Sequence, residues 1–156
     1  MSTEQATKVV LCIDDYDLVL ECLDFYLQDL GYSVLTASSG ARGLEVIATH
    51  SVDVVIVDYH MPGLNGYQFA LEMRDLGMQT PIIMFSGEAD APKDTLKIVD
   101  AFVPKARADS LLSIAQFVES LTSRMPANCQ PRPAIMQAET PKQMPGYARR
   151  ASPAAS

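Results

Sequence analysis

Apolar runs too short to be helices alternate with segments of helical period along the first 122 residues. The runs occupy residues 9–13, 33–37, 54–57, 82–85 and 101–103, and β-branched residues are frequent in them. Between the first two, Leu20, Leu23, Leu27 and Leu30 recur at helical spacing and Gly31 follows as a stop, predicting a helix over 16–30. A second helix is predicted from near Ser39, with Ala41, Leu44 and Ala48 on one face, ending before Asp53. A third starts after Asn65, a good cap, and stops at Gly77. A fourth is predicted to open at Asp90 with Pro92 in its first turn. Over 109–121, Leu111, Ile114, Ala115, Val118 and Leu121 share one face of a fifth.

Five strand–helix repeats predict an α/β fold, a parallel sheet with helices on both faces. DVVIVD is apolar at consecutive positions, as a central strand buried on both sides requires. Right-handed crossovers in about 120 residues lead to a five-stranded doubly wound sheet of flavodoxin-like order 2-1-3-4-5. Strands one and three are then neighbours, and their C-terminal ends flank the switch point where open α/β sheets bind ligands.

Charge divides the chain. Residues 1–122 carry a net −11 and residues 123–156 a net +4, together the −7 of the whole. An acidic body argues against direct binding to nucleic acid or an anionic membrane. The last segment holds six of the ten prolines and no sustained period, so the expected organisation is a flexible N-terminus (1–7), one domain (8–122) and a disordered basic tail (123–156). The polar start MSTEQATK and the absence of a long apolar run predict a cytoplasmic protein. Cys12, Cys22 and Cys129 form neither an even set nor a C-x-x-C pair, so neither a disulfide framework nor a zinc site is expected.

The chemistry lies just past the strands: Asp14 and Asp15 after the first, Asp58 after the third, Ser86 after the fourth, Lys105 after the fifth. Each alone is an ordinary helix cap or turn former. Together they crowd three carboxylates, and at about 4 Å each pair repels by roughly 1 kcal/mol in water and up to roughly 4 at a surface dielectric. Lys105 supplies one compensating charge, and Mg²⁺, which favours one or two carboxylates with a carbonyl and water, supplies the rest. A carboxylate so placed can accept a phosphoryl group, with a hydroxyl on the next strand to bond its oxygen.

The motifs CIDDYD, VVIVDYHMPGLNGYQ, IIMFSGE and FVPKA, in that order, make residues 8–122 resemble the receiver domain of two-component response regulators, of the stand-alone chemotaxis type. The resemblance implies that Asp58 is the phosphoacceptor and that Asp14, Asp15, Asp58 and the His60 carbonyl hold Mg²⁺. Lys105 would pair with the phosphoryl group, Ser86 would be the switch hydroxyl, and Phe102 the aromatic whose rotamer follows it. His60 and Glu88, two residues past Asp58 and Ser86, would face the phosphoryl group and tune its removal by water. The implied donor is a sensor histidine kinase or phosphotransfer protein, and the output is a protein contact. Beyond self-phosphorylation and self-dephosphorylation, no enzyme activity is expected.

Two departures from the family stand out. Ala106 follows Lys105 where the family usually has proline on a cis bond, which leads us to expect a different loop around Lys105. The stretch from Ser86 to Lys105 is also a few residues short, altering the fourth helix. A hydrolase triad of Asp58, His60 and Ser86 lacks a G-x-S-x-G elbow, and a dinucleotide site lacks a glycine-rich turn after strand one. A haloacid-type phosphatase would need its nucleophile on the first strand. The remaining alternative is a receiver fold that binds partners without being phosphorylated.

Overall fold

The computed structural model describes residues 6–124. Ten elements alternate: β1 (Val9–Ile13), α1 (Asp17–Asp29), β2 (Ser33–Ala37), α2 (Gly40–Thr49), β3 (Val54–Val57), α3 (Gly66–Asp75), β4 (Ile82–Ser86), α4 (Lys93–Leu96), β5 (Ala101–Pro104) and α5 (Ser110–Arg124). The strands form one parallel sheet in the order β2-β1-β3-β4-β5, as the alternation predicted.

Because successive strand side chains point to opposite faces, each central strand feeds two cores. Leu11, Ile13, Val55, Val57, Ile82 and Met84 face α2 and α3, packing with Leu44, Ile47, Phe69 and Met73. Val10, Cys12, Val54, Ile56, Ile83 and Phe85 face α1 and α5, packing with Leu23, Leu27, Ile114 and Val118. Cys12 is wholly buried, and burial pushes its thiol pKa far up, so it acts as a small hydrophobe.

Helix ends follow the punctuation in the sequence. Gly31 and Gly77 take positive φ just past α1 and α3, a conformation open to glycine without strain. Asn65 and Gln68 form a reciprocal capping box at the start of α3, their bonds 2.8 and 2.9 Å long.

Three helix predictions are corrected. The buried face of α2 is Gly40, Gly43, Leu44 and Ile47, with Ala41 and Ala48 only half-buried at its flanks. Leucine and alanine alone do not show that face, because glycines let the helix lie close to the sheet and to α3. A Cβ on Gly43 would run into Ile13, and one on Gly40 would sit 2.7 Å from the Leu64 carbonyl oxygen. The fourth helix does not open at Asp90; it is the single turn 93–96, with Pro92 as its N-cap. With so little chain between β4 and β5, Asp90 lies in a bend. The fifth helix begins at Ser110 and continues through Arg124, past the boundary placed at 122/123. The remainder of the segment read as a tail, and most of the N-terminal segment, lie outside the described residues.

Candidate functional site at the carboxyl edge of the sheet

The pairing of β1 with β3 sets Cys12 opposite Ile56 and Ile13 opposite Val57, so the next residues, Asp14 and Asp58, leave the sheet side by side. The Asp58 N–H still donates to the Ile13 carbonyl at 2.9 Å. Asp14 is 2% exposed and Asp58 5%, whereas Asp15 faces solvent. Carboxylate oxygens from all three lie within 4.8 Å of one another. Helix capping does not explain Asp14. The N-cap of α1 is Tyr16, without a side-chain cap. Asp14 Oδ1 instead accepts the Tyr16 N–H at 2.9 Å, which turns the carboxylate into the pocket.

Lys105 reaches the cluster from the far side. Ser86 pairs with Pro104, and the Lys105 N–H donates to the Ser86 carbonyl at 2.7 Å, extending the β4–β5 ladder by one residue. Its Nζ donates to Asp14 Oδ2 at 2.6 Å and lies 3.5 Å from Asp58 Oδ2. The ammonium also sits 5.5 Å from the centre of the Phe85 ring, a cation–π contact. No peptide bond among the described residues is cis. The ladder bond to Ser86 fixes the lysine backbone with Ala106 in the following position.

Three carboxylates face one ammonium, leaving a deficit of positive charge. Burial holds the Asp58 carboxyl above the usual carboxylate range. The Lys105 charge opposes this, the Asp14 charge adds to it, and hydrogen bonds from Lys105 and the His60 backbone pull back down. The donor set is all oxygen and partly open through Asp15, which suits a hard divalent ion that keeps waters.

The other predicted residues lie on the adjoining strands and loops. Ser86 is fully buried at the end of β4, and its Oγ accepts the Glu88 N–H at 3.3 Å. His60 Nε2 and Glu88 Oε1 are 2.8 Å apart, joining the β3–α3 and β4–α4 loops, and both side chains are exposed. The His60 ring stands edge-on to Tyr59, centroids 4.9 Å apart. Phe102, half-buried, pairs across the ladder with Met84 and packs on the α2–α3 side.

Comparison with known proteins agrees with this geometry. Residues 10–112 match the family model of the response regulator receiver domain. The chain belongs to that family. Among relatives, the receiver is 30% identical over 125 residues to the response regulator protein TodT of Pseudomonas putida, covering 78% of this chain and 55% of TodT. It is 35% identical over 83 residues to the autoinducer 1 sensor kinase/phosphatase LuxN of Vibrio campbellii, covering 53% of this chain and 10% of the kinase. The chain thus spans a small part of the sensor kinase and about half of TodT. Two solved structures share the fold. The receiver domain of Francisella response regulator 1452 has a TM-score of 0.70 at 25% identity, covering 76% of this chain and 98% of that one. Thermotoga maritima TrrA, solved in complex with Mg²⁺–BeF, has a TM-score of 0.66 at 28% identity, covering 74% and 99%.

Two structural supports of the domain, one beside the pocket and one at the opposite edge of the sheet, escaped the sequence reading. Gly66 lies where α3 approaches the Asp58 loop: its N–H donates to the Tyr59 carbonyl at 2.9 Å, and an added Cβ would strike the Asp58 carbonyl oxygen and come within 2.9 Å of Met84 Sδ. The turn MPGLNG held that signal, but a glycine there reads first as a loop former. Arg74, on α3, donates to the carbonyls of Met78 and Thr80 at 2.9 Å and of Ile98 at 3.2 Å, and reaches Asp100 Oδ2 at 3.3 Å. That oxygen also accepts the Ile82 N–H at 2.8 Å. No local motif marks such an arginine, because its partners lie in two separate loops, α3–β4 and α4–β5.

Among the described residues no helix is long and apolar enough to cross a membrane.

Proposed function

We propose that the chain is a phosphoacceptor response regulator in which Asp58 takes a phosphoryl group from a histidine kinase or phosphotransfer protein, and that the modified domain signals through protein contacts. The observation that carries this reading is the convergence of Asp14, Asp15 and Asp58 within 4.8 Å, with Lys105 Nζ donating to Asp14 and lying 3.5 Å from Asp58. Mg²⁺, held by Asp14, Asp15, Asp58 and the His60 carbonyl, would neutralise charge on the transferring phosphoryl oxygens.

The chain's own residues do the remaining work. An Asp58 carboxylate oxygen attacks phosphorus as the bond to the phosphohistidine nitrogen breaks, and the electron pair of that bond returns to the imidazole. Lys105 pairs with the phosphoryl group and the Ser86 hydroxyl donates to one of its oxygens. Phe102 follows the shift of the β4–α4 loop by changing how it packs. His60 and Glu88 screen the acylphosphate from water, so the lifetime of the phosphoprotein depends on both.

Incubation with Mg²⁺ and a small phosphodonor, read by intact mass, tests the proposal. One phosphoryl group is expected on the parent and none on Asp58→Asn. Failure of the parent to label, or equal labelling of Asp58→Asn, would leave the phosphorylation-independent interaction module standing instead. Phosphoprotein lifetimes of His60→Ala and Glu88→Ala test the tuning role, which unchanged lifetimes in both would remove.

A further inference from the structure

The outer side of α1 carries an apolar stripe that the fold leaves uncovered. Leu20, Leu23 and Leu27 fill the inner face. On the outer face Leu18 is 78% and Phe25 80% exposed, and Cys22 is exposed between them. Steps of four and three residues align these side chains along one side of the helix. Asp17, Glu21, Asp24 and Asp29 flank them, and a groove beside Phe25 is walled by Glu21, Asp24, Gln28 and Asp29. Among the described residues no lysine or arginine forms an ion pair with these four carboxylates.

Charge selects the occupant. A second copy using the same face would set four carboxylates against four, which opposes association. A segment both basic and apolar matches the stripe, and the chain carries one. Residues 125–156 contain Arg132, Lys142, Arg149 and Arg150 against a single acid, Glu139, interspersed with Ile135, Met136, Met144 and Tyr147. They continue from the end of α5, which packs on the same side of the sheet as α1. Tyr32, three residues past α1, packs against the same core that Leu121 fills from the last turns of α5. The segment therefore starts beside the Asp29 end of the groove. The 13 residues of α1 span about 20 Å, a length that well under half of the segment covers when extended. Tethering also supplies an effective concentration on the order of millimolar without any partner.

We propose that residues 125–156 dock in cis on the Leu18–Cys22–Phe25 face of α1, their arginines and lysine meeting Asp17, Glu21, Asp24 and Asp29. Because α1 begins two residues after Asp15, the docked segment lies next to the acidic pocket and competes with any protein that approaches over this helix. The docking stands whether or not Asp58 is phosphorylated.

Cys22 reports on the face directly. In the full chain with Cys129→Ser, alkylation by neutral iodoacetamide reads Cys22 alone, since Cys12 is buried with its thiol pKa pushed far up. The comparison is the same full chain carrying Arg132→Glu, Lys142→Glu, Arg149→Glu and Arg150→Glu. A nearby basic segment would by itself favour the thiolate and speed the reaction, so slower alkylation of the parent can come only from coverage. Expected is a rate about tenfold slower in the parent than in the charge-reversed chain, independent of protein concentration and lost at high salt. Equal rates in the two chains would overturn the proposal. So would protection that grows with protein concentration, which assigns the face to a second copy. Protection seen only on adding a separate Lys/Arg-rich peptide would assign it to a partner in trans and overturn it equally.

Discussion

Lys105→Met tests the electrostatics of the pocket, because it keeps the side-chain bulk and removes the cation that, among the described residues, lies between two buried carboxylates. At an effective dielectric near 20, unit charges 2.6 Å apart attract by about 6 kcal/mol and those 3.5 Å apart by about 5. The lysine side chain is 21% exposed, so part of this gross attraction is offset by its own desolvation. Breaking a buried pair by removing one partner costs about 3–5 kcal/mol, because a buried charge is left behind. We expect a loss of about 3 kcal/mol at pH 7 in urea unfolding without divalent ions. Two conditions should return most of it. Mg²⁺ supplies the missing positive charge and no longer competes with the ammonium for Asp14 Oδ2, so it should bind the variant more tightly than the parent. Acid protonates Asp58, whose carboxyl burial already holds above the usual range, and the deficit should shrink as pH falls below 7. A loss under about 0.5 kcal/mol at pH 7, or one unchanged by both Mg²⁺ and pH, would refute the reasoning.

Three further outcomes follow from the same geometry. Asp58 has its carboxyl pKa raised in the folded chain, mainly by burial, so between its unfolded and folded pKa the native state holds more protons. Its contribution to stability is therefore favourable in acid and lost as pH rises through that window. Asp58→Asn should flatten this fall and, in Mg²⁺-free urea titrations, be more stable than the parent at pH 7; an unaltered pH profile would count against it. Gly66→Ala forces a methyl into the Asp58 carbonyl and should cost about 2–3 kcal/mol in thermal or urea unfolding, whereas a neutral outcome would show that α3 gives way freely. Arg74→Met unties four acceptors and should cost about 2–3 kcal/mol, with faster hydrogen exchange over residues 78–82 and 98–101 than elsewhere.

Sheet order and pocket were legible because both depend on pattern. Runs such as VVIV can be buried on both faces only inside a parallel sheet, and parallel strands deliver their C-terminal residues to one edge, so Asp14, Asp58, Ser86 and Lys105 had to meet. The α2 face was misread because hydrophobic periodicity counts side chains, while Gly40 and Gly43 are buried for having none. The start of α4 was misread because Asp90 and Pro92 are genuine start signals; the short β4–β5 connection, a tertiary constraint, leaves room for one turn only. How Lys105 is held was not legible, because its backbone is fixed by pairing with Ser86, a bond no local motif announces.

That pairing decides how a change at Asp58 can travel. At its start β5 is fixed by Asp100, whose carboxylate accepts from both Arg74 and the Ile82 N–H. At its end it is fixed by Lys105, through the Ser86 carbonyl and the two aspartates. Only the second anchor depends on the charge in the pocket. A group that draws Lys105 away from Asp14 therefore acts on the Pro104 end of the strand while Arg74 holds the other. Phe102 lies between the two, half-buried and opposite Met84, whose sulfur in turn borders Gly66 beside the Asp58 loop. A state of the pocket can shift Phe102 only by as much as it changes the interactions of Lys105 and Ser86.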